Sequence, residues 1–239
     1  MHITAIIPAR YGSTSLTCKP LRLIAGKSLI QRVFEATINT GLFDQVIVAT
    51  DHLDIMSHLK TFGADGVMTD QNHQTGTDRI EEVARGLQTD LIINVQGDEP
   101  FICKEPLRQI ISAFDDQKVQ VTSIMSLFTN PPDIYDPSCV KVVVDIHNDA
   151  IYFSRSVIPF DRDNVGDAQY YKHFGVYAYR PDMLKKFVSL PAGTLEKIER
   201  LEQLRLLENG YKIRMVLTEY EGIGIDTKED IEKAEKMLS

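Results

Sequence analysis

An alternation of short β-rich runs with amphipathic segments, along the first half of the chain, constrains the fold more than any other feature. In chain order these segments are Ile3–Pro8, Ser28–Asn39, Val46–Thr50, His52–Thr61, Gly66–Thr69, Asp78–Leu87, Leu91–Val95 and Glu105–Phe114. Repetition of strand, helix and strand predicts βαβ units, whose strands lie parallel in one sheet. The sequence therefore predicts an α/β fold with a doubly wound, mostly parallel sheet.

The second half of the chain has a different pattern. Its predicted strands are Val119–Leu127, Val140–Asp145, Ala150–Phe153, Phe174–Tyr179 and Lys212–Leu217, and its predicted helices are Leu195–Glu208 and Lys228–Leu238. Short turns between several strands indicate a mixed or antiparallel extension. No Gly/Ser/Pro-rich linker or internal repeat interrupts the chain. We predict a single domain over residues 1–239, with an inserted β subregion at 130–180.

Charge and cysteine usage exclude several classes of protein. The net charge of -8 and pI of about 5.3 argue against broad attraction to nucleic acid or an anionic membrane. The three cysteines have no metal-ligand spacing and are odd in number, which argues against a zinc site or a disulfide framework. No apolar run approaches the roughly 18 residues of a membrane span. Because Met1–Arg10 reaches polar residues early, we expect no signal peptide and a cytoplasmic protein.

The loop after the first strand is a candidate phosphate site. Open α/β sheets bind ligands beyond the carboxyl ends of their strands, so the segments after Pro8, Thr50 and Val95 are of interest. Arg10 and Lys19 flank a loop with a glycine and four Ser or Thr hydroxyls, which suits a polyphosphate. A solvated surface loop is the alternative. The loop matches neither a Walker motif nor GxGxxG, so a nicotinamide-dependent oxidoreductase is disfavoured.

Two carboxylates are candidate metal ligands. Asp98 follows an apolar strand, and Asp226 lies in a short turn before the last helix. Mg²⁺ takes one or two carboxylates plus substrate phosphate oxygens. A turn that caps the following helix is the alternative at both positions, with Thr227 as a possible cap. Sequence separation alone leaves open whether Asp98 and Asp226 meet.

Other segments carry weaker signals, each with an ordinary structural alternative. Gly76 to Arg79 suits a phosphate or a base, although N-capping by Thr77 or Asp78 explains it equally well. Arg155 suits a carboxylate, and a surface salt bridge is the alternative. His173 is more often a structural histidine than a ligand contact. The set Glu199, Glu202 and Gln203 is spaced to share one helix face.

Taken together and in order, the motifs resemble the 3-deoxy-manno-octulosonate cytidylyltransferase family over nearly the whole chain. The matching segments are Ile7–Thr14, Lys19–Leu21, Val48–Asp51, Gly76–Arg79, Asn94–Pro100, Tyr152–Ser156, His173–Arg180, Leu201–Arg205 and Gly224–Thr227. The resemblance implies a Rossmann-like nucleotide-diphospho-sugar transferase fold in which the β extension forms a homodimer interface. It also implies a nucleotidyltransferase that joins CMP from CTP to an acidic 3-deoxy sugar, with Mg²⁺ as cofactor.

The resemblance also assigns roles to individual residues. The implied catalytic residues are Arg10, Lys19 and Asp98. The implied nucleotide contacts are Arg10, Ser13, Lys19, Gly76, Thr77, Asp78 and Arg79. The implied sugar contacts are Gln96, Arg155, His173, Tyr177, Glu202 and Gln203. The implied Mg²⁺ ligands are Asp98 and Asp226.

One departure from the family pattern falls in the phosphate loop. Ser15, Thr17 and Cys18 stand where the family usually has Arg, Pro and Gly. Loss of one phosphate-facing cation is expected to cost about 2–4 kcal/mol of transition-state stabilisation. Two alternatives therefore stay open: a catalytically impaired homologue, and a cytidylyltransferase for a related sugar such as the 8-amino analogue.

Overall fold

The computed structural model describes residues 1–12, 18–163, 166 and 168–238. Their strands are β1 (Ile3–Ala9), β2 (Leu23–Ile24), β3 (Lys27–Ser28), β4 (Gln45–Thr50), β5 (Asp65–Met68), β6 (Leu91–Asn94), β7 (Val121–Leu127), β8 (Lys141–Val144), β9 (Ala150–Ser154), β10 (Tyr171–Tyr179) and β11 (Arg214–Leu217). Their helices are α1 (Leu29–Asn39), α2 (Leu53–Lys60), α3 (Gly76–Ala84), α4 (Lys104–Ser112), α5 (Pro181–Ser189), α6 (Thr194–Glu199), α7 (Leu204–Glu208) and α8 (Lys228–Leu238).

The chain forms two compact units. The first unit comprises Met1–Leu107 and Gly222–Ser239, and the second unit comprises Arg108–Glu221. The subregion at 130–180 lies inside the second unit. Its role as a dimer interface, and the description of residues 1–239 as one domain, stay predictions.

The first unit contains a parallel sheet with the strand order β6-β1-β4-β5. From β1 the chain moves to β4 and β5 on one side, and it returns to β6 on the other side. Strand order therefore reverses at β1, which is where doubly wound sheets bind their ligands. Helix α1 buries Leu29, Val33 and Phe34 on one face, and the Ser28 side chain caps it by accepting from Gln31 N. The predicted doubly wound, parallel sheet is confirmed.

The second unit contains the predicted mixed extension. Strand β7 pairs antiparallel with β10 and parallel with β11, while β8 pairs antiparallel with both β10 and β9. The largest fully buried apolar side chains of this unit are Phe153, Tyr179 and Phe187. Burial of an aromatic side chain of this size stabilises a fold by about 1.5–3 kcal/mol.

The predicted helix Leu195–Glu208 is wrong in one respect, because it is divided into α6 and α7. Arg200, with φ of 55°, ends α6 in the left-handed region. The Arg155 guanidinium donates to the carbonyls of Glu199 and Arg200, which a continuous helix would pair with amides four residues later. A tertiary contact thus competes with the local helical pattern. Glu199 and Gln203 consequently do not share one helix face.

None of the helices formed by the described residues is long and apolar enough to cross a membrane.

Candidate active site

The loops that follow β1 and β6 approach each other at the reversal point of the first unit's sheet. A Cβ atom on Gly97 would lie 2.5 Å from the Pro8 carbonyl oxygen, so only glycine permits this approach. Two residues earlier in both segments, Val95 N donates to Ile6 O over 3.2 Å. The backbone therefore brings the segments that carry Arg10 and Asp98 together.

A cavity of about 520 Å³ lies at this edge of the sheet. The residues that line it are Pro8, Ala9, Arg10, Lys19, Pro20, His73, Gln74, Thr75, Gly76, Arg79, Gln96, Gly97, Asp98 and Asp226. Seven residues singled out from the sequence are among them: Arg10, Lys19, Gly76, Arg79, Gln96, Asp98 and Asp226. Although Asp98 and Asp226 are far apart in the chain, they belong to one cavity of the first unit.

Lys19 lies between these two carboxylates. Its Nζ atom is 2.7 Å from Asp98 Oδ2 and 2.7 Å from Asp226 Oδ1. The Lys19 side chain is 12% exposed, whereas that of Asp226 is 69% exposed. Burial alone would lower the pKa of the Lys19 ammonium, but the two carboxylates outweigh burial and raise this pKa above its ordinary value. Lys19 is therefore charged, and the cluster of three carries a net charge of -1.

The N-terminus of α3 also faces this cavity, and its cap differs from both predicted caps. Thr75, rather than Thr77 or Asp78, is the N-cap residue: its side chain accepts from Asp78 N. Asp78 completes the capping box by accepting from Thr75 N. The carboxylate of Asp78 is thus committed to its own helix, and neither Thr77 nor Asp78 lines the cavity.

Arg79 is held by protein groups beneath the cavity. Its guanidinium, with 3% of the side chain exposed, lies 3.0 Å from Asp51 Oδ2 and also donates to Thr69 Oγ1. The other Asp51 oxygen accepts from Tyr11 N over 2.9 Å. Asp51 therefore links buried Arg79 to the loop after β1, a role that the residue patterns did not assign. The signal was present, because Asp51 directly follows β4 at the edge of the sheet where ligands bind.

The start of the 3₁₀ turn Lys19–Leu21 has a demanding backbone conformation. Cys18, which stands at the family's glycine position, has φ of 54° and ψ of 38°. A non-glycine residue in this left-handed region costs about 1–2 kcal/mol. Ser13, a predicted nucleotide contact, lies outside the described residues, as do Ser15 and Thr17.

Several predicted sugar contacts belong to a polar cluster inside the second unit. The Nε2 atom of His173 is 2.9 Å from Tyr177 Oη and 3.1 Å from Ser123 Oγ. Its ring packs edge-on against Phe153. Burial lowers the pKa of His173 to about 3, so the imidazole is neutral near pH 7. Burial, followed by the charge of Glu202, raises the pKa of Tyr177 well above its ordinary value.

The other predicted sugar contacts differ in whether their polar atoms already bond to protein groups. Arg155 donates to the backbone carbonyls of Pro137, Glu199 and Arg200, so its guanidinium stabilises the break between α6 and α7. Glu202 lies 3.8 Å from Arg205. Gln203 is 7% exposed, and its Nε2 atom has no hydrogen-bond partner within the described part of the chain. A buried amide left this way is destabilising by about 1–3 kcal/mol unless a ligand pairs it.

The first unit's carboxylates fit a Mg²⁺ ion that shares its coordination with a substrate. No group of three or more His, Cys, Asp or Glu side chains converges on a common point in the described ranges. Asp98 and Asp226 supply two hard oxygen donors, which is the number that Mg²⁺ takes from proteins that also bind phosphates. The remaining ligands would be water and phosphate oxygens.

Comparison with known proteins identifies the family of this chain. A family model described as cytidylyltransferase matches residues 4–213. The chain is 46% identical over 241 residues to a 3-deoxy-manno-octulosonate cytidylyltransferase of Flavobacterium johnsoniae, covering 100% of this chain and 99% of the relative. It is 44% identical to the enzyme of the same name from Thermodesulfovibrio yellowstonii, covering 100% and 99%.

Solved structures agree with the sequence comparison. A CMP:2-keto-3-deoxy-manno-octonic acid synthetase complexed with CTP superposes with a TM-score of 0.94 at 39% identity, covering 100% of this chain and 98% of that one. A 4-diphosphocytidyl-2C-methyl-D-erythritol synthase from Anaerococcus prevotii, at 20% identity and a TM-score of 0.66, shares the fold, with 99% and 98% of the two chains covered. Full-length similarity at this level of identity leads to one conclusion: the chain belongs to the 3-deoxy-manno-octulosonate cytidylyltransferase family.

Proposed function

We propose that this protein transfers CMP from CTP to 3-deoxy-manno-octulosonate and releases pyrophosphate. The observation that carries the proposal is the position of Lys19 between Asp98 and Asp226, in a cavity at the carboxyl ends of β1 and β6. This arrangement offers cations to a triphosphate and carboxylates to the metal that accompanies it. Membership of the family supports the choice of nucleotide and sugar.

The transfer needs no protein nucleophile. The anomeric hydroxyl oxygen of the sugar forms a bond to the α-phosphorus of CTP, and the bond from that phosphorus to the bridging oxygen breaks. Pyrophosphate leaves with the electron pair, and the hydroxyl proton passes to solvent. Arg10 and Lys19 stabilise the negative charge that gathers on the departing pyrophosphate. Catalysis is therefore positioning and charge neutralisation.

Mg²⁺ is the proposed cofactor, with Asp98 and Asp226 as its protein ligands. When bound, such an ion withdraws charge from phosphate oxygens and favours ionisation of a coordinated hydroxyl. Asp98 lies four residues after the buried strand β6, and its carbonyl oxygen accepts a hydrogen bond from Ile225 N. Asp226 is placed by α8, whose N-terminus is capped by Thr227 and Asp230.

Recognition of the acidic sugar is assigned to polar residues of the second unit. The buried, unpartnered amide of Gln203 supports this assignment, because a sugar hydroxyl would pair it. His173 is neutral and hydrogen-bonds to Tyr177, so it is suited to orient a ligand rather than to transfer a proton. Three of the five N–H groups of the Arg155 guanidinium donate to backbone carbonyls in the described part of the chain, and the other two are the donors that it would offer to the sugar carboxylate.

We also propose a homodimer formed through the subregion at 130–180. Large apolar side chains are exposed there, including Ile146 at 94%, Phe160 at 83% and Ile151 at 59%. Apolar residues that cluster on a surface commonly mark an interface. Sedimentation velocity of the wild type should give a dimer mass, and Ile146→Glu with Phe160→Glu should shift it to the monomer. A monomeric wild type at micromolar concentration would contradict this part of the proposal.

The setting proposed for the reaction is the bacterial cytoplasm, where CTP is available. There the product would supply activated sugar for lipopolysaccharide or capsule. This placement depends on the family alone.

The deciding experiment measures pyrophosphate release and identifies the sugar nucleotide by mass spectrometry. CTP, Mg²⁺ and 3-deoxy-manno-octulosonate should give CMP-sugar, whereas ATP in place of CTP should give none. The 8-amino sugar, run in parallel, defines the sugar preference. CTP binding without turnover on either sugar would favour an impaired homologue instead, in line with the substitutions at Ser15, Thr17 and Cys18.

A further inference from the structure

The ammonium of Lys19 occupies the space between the two proposed metal ligands. Each Nζ–Oδ separation is 2.7 Å, which is the ordinary length of a strong charged hydrogen bond. A Mg²⁺ ion lies about 2.0–2.1 Å from its ligand oxygens. The same pair of inner carboxylate oxygens cannot hold both cations in these positions. Lys19 and the metal therefore compete for Asp98 and Asp226.

The two carboxylates do not depend on Lys19 to stay close. Ile225 N donates to the carbonyl oxygen of Asp98 over 3.0 Å, so the backbone joins the two segments. Asp226 N donates to Asp230 Oδ2, which anchors the same segment to α8. Removal of the lysine side chain would leave two unpaired carboxylates facing one position. Such a pair attracts a divalent cation.

Lys19 can move without refolding of its turn. Its backbone is fixed by hydrogen bonds from Leu21 N to Cys18 O over 2.9 Å and from Arg22 N to Lys19 O over 3.1 Å. Buried Pro20 adds a further constraint. The mobile part is the four-carbon side chain, whose ammonium binds as a point charge with few directional demands. Phosphate oxygens in the same cavity would offer it a second set of acceptors.

We propose that Lys19 acts as a latch on the metal site: it keeps divalent cations out until nucleotide phosphates draw its ammonium away. This inference rests on the proposed function and adds to it the order in which nucleotide and metal bind. The triphosphate supplies acceptors for Lys19 and, at the same time, the ligands that the two carboxylates cannot provide. Metal and nucleotide consequently reinforce each other's binding, and by linkage the effect is reciprocal. Metal is expected to enter with the nucleotide, after the latch opens.

The test measures Mn²⁺ binding to nucleotide-free protein from the electron paramagnetic resonance signal of the free ion. Lys19→Met should bind Mn²⁺ at least about tenfold more tightly than the wild type, which corresponds to about 1.4 kcal/mol. Lys19→Gln serves as the second variant, and a thermal melt checks that each variant is folded. The double variant Lys19→Met with Asp98→Asn should lose the gain, because one of the two ligands is then neutral.

Lys27→Met is the matched control. Lys27 also belongs to the first unit and pairs with one carboxylate, Glu35, at 2.5 Å. Its removal makes the same change in net charge without vacating the position between Asp98 and Asp226. Wild-type affinity for Mn²⁺ is expected in this variant. An equal gain in Lys27→Met would overturn the latch, since the effect would then be one of overall charge.

The latch and the proposed function fail separately. Equal Mn²⁺ affinity in wild type, Lys19→Met and Lys19→Gln would overturn the latch even if the wild type turns over CTP. Tighter Mn²⁺ binding in both Lys19 variants would support the latch. If the wild type then lacks turnover with CTP and either sugar, the proposed function alone is overturned.

Discussion

Two ion clusters of opposite composition occupy the two units. In the first unit one lysine, Lys19, lies between two carboxylates, whereas in the second unit one carboxylate lies between two cations. Asp149 Oδ2 is 2.8 Å from Lys212 Nζ, and Asp149 Oδ1 is 2.6 Å from Arg214 Nε. The clusters have similar distances and differ in their surroundings.

Position separates the two clusters, whereas burial does not. The central side chains, Lys19 and Asp149, are 12% and 8% exposed, and each has one strongly exposed partner. Asp226 has a 69% exposed side chain and lines a cavity at the carboxyl end of a parallel sheet. Asp149 has an 8% exposed side chain, and its backbone N and O both pair with Asp145. Its pKa is lowered because Lys212 and Arg214 outweigh the effect of burial. A negatively charged cluster that lines a cavity suits exchange with a ligand, whereas the Asp149 cluster joins two bridged segments of the chain and suits stability.

Asp98→Asn is expected to have the largest effect of the variants, and the effect should fall on turnover rather than on stability. Loss of one metal ligand should reduce turnover on the order of 10³-fold, about 4 kcal/mol of activation free energy. The free energy of unfolding should change by less than about 1 kcal/mol, because Lys19 keeps its contact with Asp226. Initial rates of pyrophosphate release and urea denaturation measure the two quantities. Retained turnover would remove Asp98 from the metal site.

Asp149→Asn is the counterpart in the second unit and should show the opposite pattern. Removal of the buried charge leaves Lys212 and Arg214 without their shared partner, which should destabilise the fold by about 2–3 kcal/mol. Turnover per folded molecule should stay within about twofold of the wild type. A loss of turnover as large as that of Asp98→Asn, with stability unchanged, would mean that the two clusters have been assigned the wrong roles.

Whether a feature of the two units could be predicted from the sequence depends on how far apart in the chain the interacting residues lie. The parallel sheet and the candidate loops after β1 and β6 follow from local periodicity and from the position of polar residues at strand ends. The break at Arg200 could not, because it arises from Arg155, which is 45 residues away. The contact of Lys19 with Asp226 joins residues 207 positions apart. Residue patterns identified both residues, but the question that they left open was whether Asp98 and Asp226 meet.

His173 should make the second unit's stability depend on pH. Its folded pKa of about 3 lies below the unfolded value of about 6.5, so the unfolded chain binds the additional proton between these values. Stability from the neutral imidazole is therefore present above about pH 6.5 and is lost as the pH falls below it. Between pH 7 and 5 this loss is about 2 kcal/mol.

Urea denaturation of wild type and His173→Gln at pH 7 and pH 5 measures this effect. The free energy of unfolding of the wild type should fall by about 2 kcal/mol more than that of the variant. A parallel fall in both proteins would show that other groups cause the acid sensitivity.

Cys18→Gly is expected to have the smallest effect. Because Cys18 has φ of 54°, glycine relieves strain that any side chain with a Cβ atom retains. Cys18→Ala is the matched control, since it removes the thiol and keeps the Cβ. The glycine variant should be about 1 kcal/mol more stable than the alanine variant by urea denaturation. Equal stabilities would indicate that the turn adopts another backbone conformation in solution.

The cavity of the first unit is expected to bind both CTP and its metal. Crystals grown with CTP and Mn²⁺ test this expectation most directly, because the anomalous signal locates the metal independently of the protein. We expect a peak within about 2.2 Å of carboxylate oxygens of both Asp98 and Asp226, with Lys19 turned towards the phosphates. A metal peak away from both carboxylates, or a triphosphate bound without Arg10 and Lys19, would contradict it.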